Sequence, residues 1–470
     1  MAKQGTLRQE NRKTMMLNEP ISKLIPKMAV PTIIAFLINS VYSMADTYFV
    51  SSLGTNATAA VSINSSLDQL IAMCGSMLAM GSNSYIARLL GEGDDKKASR
   101  VLSTAFFTAF SFGALLMVFG NLFMVPMVRF LGATPTCEQY SIDYATYILF
   151  AAPFMATNFV MNQCLRSEGS ATLSMVGMGF GGILNCALDP IFIQGVPAWG
   201  IPAMGVAGAS LATMISKIVS FCILIFPYVT HKSLLRLSIR NFCPSWDIIS
   251  KIVSVGSSSM FRSGLAVVAG IVLNDLAGNI SDSVLAGIGV CTKVMMFPFS
   301  IILGFGTGFQ PVAGFNWGAK RYDRVMDSYR YASRMAVFGS AAMAILLGVF
   351  AKPVITAFAG DDPQMQEIGA LCIRLQCIAL PIHAWVALVN MLCAGLGNAG
   401  GALALATARQ GTCMLPIVHL LAYLLGAYGI ASVQAIADVL SLALAIPICL
   451  YMMKKIRTAQ QTMEAAAEPQ

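Results

Sequence analysis

The stretch TLSMVGMGFGGILNCALDPIFIQ, Thr172–Gln194, decides the fold. It is an apolar run as long as the roughly 20 residues a helix needs to cross a bilayer, and a single acid interrupts it. An ionised carboxylate at the centre of such a span costs about 2.5–3.5 kcal/mol, so Asp189 needs a role. Asn185 lies four residues earlier and shares its helical face. Pro190 follows the acid directly and, in a helix, frees the carbonyl of Cys186. An acid, an amide and a loosened carbonyl on one face suit a proton or a small hard cation. The same trio also suits a polar contact that only joins two helices.

Across the whole chain, the 470 residues are 56% hydrophobic and 11% charged, with a mean hydropathy of +0.70. Those values exclude a soluble globular chain and predict a polytopic, all-α membrane protein. Forty glycines and nineteen prolines fit that class, because neighbouring helices re-satisfy the backbone groups they expose. The net charge of +8 sits in short loops between apolar runs. It reads as a topology signal, and no nucleic-acid partner is expected. Twelve cysteines include no C-x-x-C pair and read as small buried thiols. The polar leader has no hydrophobic core with a cleavage site, so no cleavable signal is expected and the first apolar run is a retained span.

Apolar segments fall near 28–50, 59–87, 101–126, 141–164, 172–194 and 204–229, and again near 248–274, 284–316, 332–358, 368–394, 402–425 and 428–453. That makes twelve transmembrane helices. The second and eighth are longer than one crossing needs, so they are expected to tilt or project from the membrane. The polar break His231–Asp247 divides an N-terminal lobe, 1–240, from a C-terminal lobe, 241–470. Lys and Arg gather in the leader, Arg88–Arg100, the central linker, Lys320–Arg334 and the tail, whereas the alternate loops offer only Arg129 and Lys352. The positive-inside rule then puts both termini in the cytoplasm of a multi-pass cell-membrane protein.

The two halves echo one another. GSNSYIARLLGEGDDKKASR (81–100) matches GFQPVAGFNWGAKRYDRVMD (308–327) with Gly81 on Gly308 and Gly91 on Gly318. Pro153 of LFAAPF pairs with Pro381 of CIALPI, and LRSEGSA (165–171) with GLGNAGGA (395–402). Six plus six helices in one orientation form a parallel repeat, an architecture transporters use to build a substrate site at the repeat interface.

Several ordered pieces carry a resemblance: Pro31 with Asp46-Thr-Tyr-Phe-Val, LRSEGS, Asn185-x-x-x-Asp189-Pro190, GVAGASLAT (205–213), and GFQPVAGFNWGAKR (308–321). With the segment MFRSGLAVVAGIVLNDLAG (260–278), the chain resembles the multidrug and toxic compound extrusion (MATE) family, in its bacterial drug-efflux branch. The resemblance implies two pseudo-symmetric six-helix lobes forming a V around a central cavity. It also implies a secondary antiporter that exports cationic or amphipathic organic compounds in exchange for Na+ or H+, acting as a monomer in the bilayer without a cofactor. The family's ion- or proton-coupling positions match Asp46, Asn185, Asp189, Thr213 and Tyr144, with Pro31 and Pro190 as conformational residues. The set Asp46, Asn185, Asp189 and Thr213 would hold Na+ where sodium is the coupling ion. Ser210, Ser216, Tyr140 and Tyr147 offer the same chemistry as Thr213 and Tyr144 close by.

The second half has no acid at the positions equivalent to Asp46 and Asp189, although Asp275 and His419 are near, so coupling is expected in the N-terminal lobe alone. Lys293 and Arg409 lie deep enough to face a C-lobe cavity; Lys217, Arg262 and Arg374 are expected to snorkel or pair near helix ends. Asp68 and Asp438 stand alone in their helices, open to a cavity role or to interhelical bonding. The alternative function is a lipid-linked precursor flippase of the same superfamily, which would carry several cavity arginines for a pyrophosphate. The loop motif of the other common twelve-helix transporters is replaced here by GEGDDKKASR, and no H-E-x-x-H or G-x-S-x-G supports an enzyme.

Overall fold

The computed structural model describes residues 2–196, 200–359 and 362–467, and these are almost wholly helical. A leader helix, α1 (Ala2–Asn18), precedes α2 (Ile21–Ser51), α3 (Thr55–Glu92), α4 (Asp95–Leu122), the short α5 (Met124–Phe130), α6 (Glu138–Ser167), α7 (Ala171–Gln194) and α8 (Val206–Val229). A linker with one 3₁₀ turn, Ile239–Asn241, leads to α9 (Trp246–Gly278), α10 (Asp282–Gly318), α11 (Tyr322–Ala359) and α12 (Pro363–Gly395). The last stretch holds α13 (Ala399–Thr407), a π-helical segment Ala408–Met414, and α14 (Leu415–Ala467).

Eleven helices among the described residues are long and apolar enough to cross a membrane, the last of them, Ala399–Ala466, running for 68 residues. That length holds two crossings. Gly426, at φ 54° and ψ −128°, breaks it, and a Cβ on Gly429 would stand 1.9 Å from the Leu421 carbonyl oxygen. Val418 and Val433, on opposite sides of the break, share one apolar core, so the chain doubles back there and twelve crossings result. The long α3 and α10 have 38 and 37 residues, about 57 and 56 Å at 1.5 Å per residue, well beyond a hydrocarbon core of about 30 Å. Large apolar side chains stay exposed on the helix exteriors, Phe130 at 91% and Phe338 at 73%, as a lipid-facing surface requires.

Packing gathers the chain into two compact units. One holds the residues up to Met16 with Ile34–Gly256; the other holds Leu17–Ile33 with the residues from Ser257 on. These bounds differ from a division at 240/241, and paired glycines supply the reason. A Cβ on Gly81 of α3 would lie 1.9 Å from the Ile252 carbonyl oxygen, and one on Gly256 2.0 Å from that of Met77, so the start of α9 is in backbone contact with α3. In the other unit a Cβ on Gly308 of α10 would lie 2.6 Å from Ala29 Cα, and one on Gly304 2.8 Å from Ile33 Cα. The start of α2 thus meets α10 as the start of α9 meets α3. Each unit also has one central helix: α6 packs on α3, α4, α7 and α8, while α12 packs on α10, α11 and α14. Both central helices carry an interior proline, Pro153 and Pro381; in the first unit, Gly113 of α4 closes on the Pro153 backbone.

The leader is anchored. Lys13 Nζ meets Asp95 at 2.7 Å, and Arg12 lies 3.9 Å from Glu168. Glu168, just past the end of α6, is fully buried; its Oε2 accepts from Ser233 Oγ at 2.5 Å and from the Leu234 amide at 2.8 Å. Burial pushes its carboxyl up to about 7, against those donors and Arg12.

Candidate functional site

The first unit contains a cavity of about 500 Å³, within the usual range for small-molecule sites. Four helices line most of it. From α2 come Phe36, Asn39, Tyr42, Ser43, Asp46 and Thr47; from α3, Val61, Ser65, Asp68, Gln69 and Ala72. From α6 come Tyr144, Met155, Asn158, Phe159, Asn162, Gln163 and Arg166; from α8, Thr213, Lys217 and Ser220. Each set repeats at helical spacing and so projects from one face. Met178, Gly181 and Gly182 of α7 complete the wall. The glycines let α7 approach closely: a Cβ on Gly182 would stand 3.1 Å from Ile38 Cγ2, and one on Gly181 3.0 Å from Ser220 Cβ.

Behind that wall, Asn185, Asp189 and Thr213 form a buried polar knot. The Asn185 amide satisfies both sides when Nδ2 donates to Asp189 Oδ2 at 3.3 Å and Oδ1 accepts from the Thr213 amide and Oγ1, each at 3.2 Å. Pro190 sits inside α7 directly after the acid, leaving the Cys186 carbonyl without its helical donor. Asp46 and Asp189 lie within electrostatic reach of one another, as do Asp46 and Asp68. Tyr144, buried on α6, lies within reach of all three acids. Each acid keeps one buried carboxylate oxygen, its Oδ1, with no hydrogen-bond partner. Such groups demand a positive partner or a proton.

Lys217 is a fixed cation within electrostatic reach of Asp46 and Asp68. Its Nζ donates to Tyr42 Oη at 3.4 Å and stands 5.0 Å from that ring's centre; it acts on Asp46 and Asp68 electrostatically, though among the described residues no ion pair within 4.0 Å reaches Asp46, Asp68 or Asp189. From sequence, Lys217 is expected to snorkel or pair near a helix end; here it lines the cavity. Its place on the face of Thr213 and Ser220, at i, i+4 and i+7, is the signal that pointed inward instead. Asp68 carried the same kind of signal, with Val61, Ser65 and Ala72 around it. Pro31 lies inside α2, fifteen residues before Asp46 on the same helix.

The second unit holds a different arrangement. Arg409, in the π-helical segment, donates Nε to Asp438 Oδ1 at 2.7 Å and Nη2 to Oδ2 at 3.3 Å. His383 Nδ1 lies 3.4 Å from the same Oδ1, and the Arg409 guanidinium stacks 4.4 Å from the Phe299 ring centre. Asp438 is therefore an interhelical tie, and Arg409 is its paired cation. Lys293 is exposed on α10, as is His419 on α14. Among the described residues no group of three or more His, Cys, Asp or Glu is placed to hold a metal ion.

The MatE family profile matches the chain twice, over residues 31–191 and 259–418, so each half carries one copy of the repeat. Curated relatives include the FAD transporter of Shewanella oneidensis, 25% identical over 90% of this chain and 93% of its own length. The multidrug export protein MepA of Staphylococcus aureus is 24% identical over 93% of this chain and 94% of its own. Among solved structures, a MATE protein in complex with MaL6 superposes with a TM-score of 0.87 at 24% identity, covering 96% of this chain and 99% of that one. An outward-facing multidrug resistance MATE transporter of the MOP superfamily superposes at 0.86, also at 24% identity, over 95% and 98%. Those superpositions establish a common fold.

Proposed function

Because this chain belongs to the MatE family, a family of membrane transporters, we propose that it is a secondary antiporter exporting cationic or amphipathic organic compounds in exchange for sodium ions or protons. The observation that carries this reading is the cavity of the first unit, which gathers Asp46 and Asp68 on its wall and Asp189 behind it, each with an unpartnered buried oxygen. Two acids within electrostatic reach cannot both ionise at low cost in a low-dielectric wall. A proton relieves them, and so does a sodium ion held by oxygens of Asp46, Asn185, Asp189 and Thr213. The coupling ion is cargo in this scheme. Its arrival neutralises the acids and weakens their hold on an organic cation; its departure restores that hold. Pro31, which leaves the Lys27 carbonyl without a helical donor, gives α2 a place to bend as the charge at Asp46 changes.

The Lys and Arg distribution supports a cell-membrane protein with both termini cytoplasmic. Acids around the cavity favour organic cations over the pyrophosphate of a lipid-linked precursor. The MepA relatives support small organic substrates, and the relative that carries FAD makes that molecule a necessary second cargo in any assay.

The test is uptake of a cationic dye into proteoliposomes under a sodium gradient at constant pH, then under a proton gradient without sodium. Uptake driven by one gradient and abolished by Asp189→Asn, with the variant purified at normal yield, supports the proposal. Undiminished gradient-driven uptake by Asp189→Asn removes the coupling assignment. Absence of dye movement beside transport of a lipid-linked precursor favours the flippase.

A further inference from the structure

The motif LRSEGS contributes a side chain that the coupling scheme does not use. Arg166, the penultimate residue of α6, is only 2% exposed and yet lines the cavity. Its hydrogen-bond partners among the described residues are all neutral: Nε donates to Ser174 Oγ at 2.9 Å, Nη2 to Asn162 Oδ1 at 2.7 Å, and Nη1 to Gln163 Oε1 at 3.5 Å. The guanidinium carbon lies 5.5 Å from the centre of the Phe36 ring. Those partners are themselves held, since Ser174 Oγ bonds Asn162 Oδ1 and Asn83 Nδ2 donates to Gln163 Oε1 at 3.0 Å. Among the described residues no carboxylate pairs with it, and the nearest acid in sequence, Glu168, is engaged by Ser233, Leu234 and Arg12.

A buried, uncompensated guanidinium is costly, and a neutral residue would join α6 to α7 at less expense. Three of its five N–H groups are taken by the neutral oxygens named above, which fixes the plane of the fork and leaves two donors. Such a fork suits a planar carboxylate. Phe36, against which it stacks, and Asp46 both line the cavity from α2, ten residues apart, or about 15 Å along the helix. The cavity therefore runs from the Arg166 guanidinium, which has no carboxylate beside it, to Asp46 and Asp68, which have Lys217 within electrostatic reach.

Resting on the export reading above, we propose that Arg166 is the anion-recognising end of the cavity, receiving the carboxylate of an amphipathic substrate whose ring system extends toward Asp46 and Asp68. Zwitterions with a positive group on the far side of the rings fit both ends.

The experiment uses two rhodamines with one ring system and one cationic charge, the first with a free carboxylate and the second as its methyl ester. Dissociation constants are measured by fluorescence anisotropy on the purified full-length protein, its Arg166→Gln variant and its Arg166→Lys variant. The expected result is that the wild type favours the free acid over the ester by about tenfold, the size of one charge-assisted contact. Arg166→Gln should bring that ratio to about one, and Arg166→Lys, which keeps the charge without the fork, should leave it intermediate. A wild type that binds both dyes equally overturns the proposal while leaving export intact, as does a ratio unchanged in Arg166→Gln. Binding of neither dye by the wild type overturns the export reading and this inference together.

Discussion

Glu168→Gln tests whether burial controls the charge of the residue that joins the leader and the linker to α6. The carboxyl is raised from its ordinary 4.5 to about 7 by burial. Between those values the folded protein holds a proton that the unfolded chain has released. The stability this group contributes is therefore complete below about pH 4.5 and is lost as pH rises through about 7. At about 1.4 kcal/mol per unit, the window amounts to something on the order of 3 kcal/mol. Glutamine keeps one carbonyl oxygen for the two donors that reach Oε2, Ser233 Oγ and the Leu234 amide, and does not titrate. Thermal unfolding followed by the intrinsic fluorescence of the four tryptophans, in detergent from pH 4.5 to 7.5, should show the wild type losing stability relative to the variant as pH rises. Parallel profiles for the two proteins would refute the reasoning.

Two further outcomes follow from the packing and the buried charges. Gly81→Ala forces a Cβ into the Ile252 carbonyl oxygen, 1.9 Å away, so the backbones must part; a loss of about 1–3 kcal/mol or more is expected as a lowered midpoint of thermal unfolding, with Gly93→Ala as a control for a glycine in open space but left-handed backbone. Arg409→Ala leaves Asp438 buried without its cation and should cost about 3–5 kcal/mol; Asp438→Asn in the same chain should recover a large part of that loss, and a strictly additive double variant would count against the pairing.

The fold was legible because membrane spans announce themselves by length and loss of charge, and the repeat because Gly81 and Gly308 sit in matching contexts. Those glycines mark more than a repeat. Each is the point where the first helix of the other half seats its backbone, a contact that leaves no trace in the composition of the linker. Asp189 with Asn185 was legible for the same reason as the spans, a polar pair in an apolar run. Asp68, Lys217 and Arg166 were harder, since each is one charged residue in a helix with several polar positions, and only the face it shares with its neighbours tells which way it points. The tie between Arg409 and Asp438 was not legible. Their helical phases are separated by the break at Gly426 and by the π-helical segment, so no fixed periodicity relates position 409 to position 438.

That π-helical segment, Ala408–Met414, bears on how this crossing came to be and how it can be altered. A π-bulge is the shape an α-helix takes when one residue is squeezed into it without moving the ends. Everything upstream is then out of step by one position, roughly 100° around the axis at 3.6 residues per turn. Excising a single residue, Gly411, would let an ordinary helix re-form and swing the guanidinium of residue 409 away from its carboxylate. The surplus residue is the shim that aims this arginine.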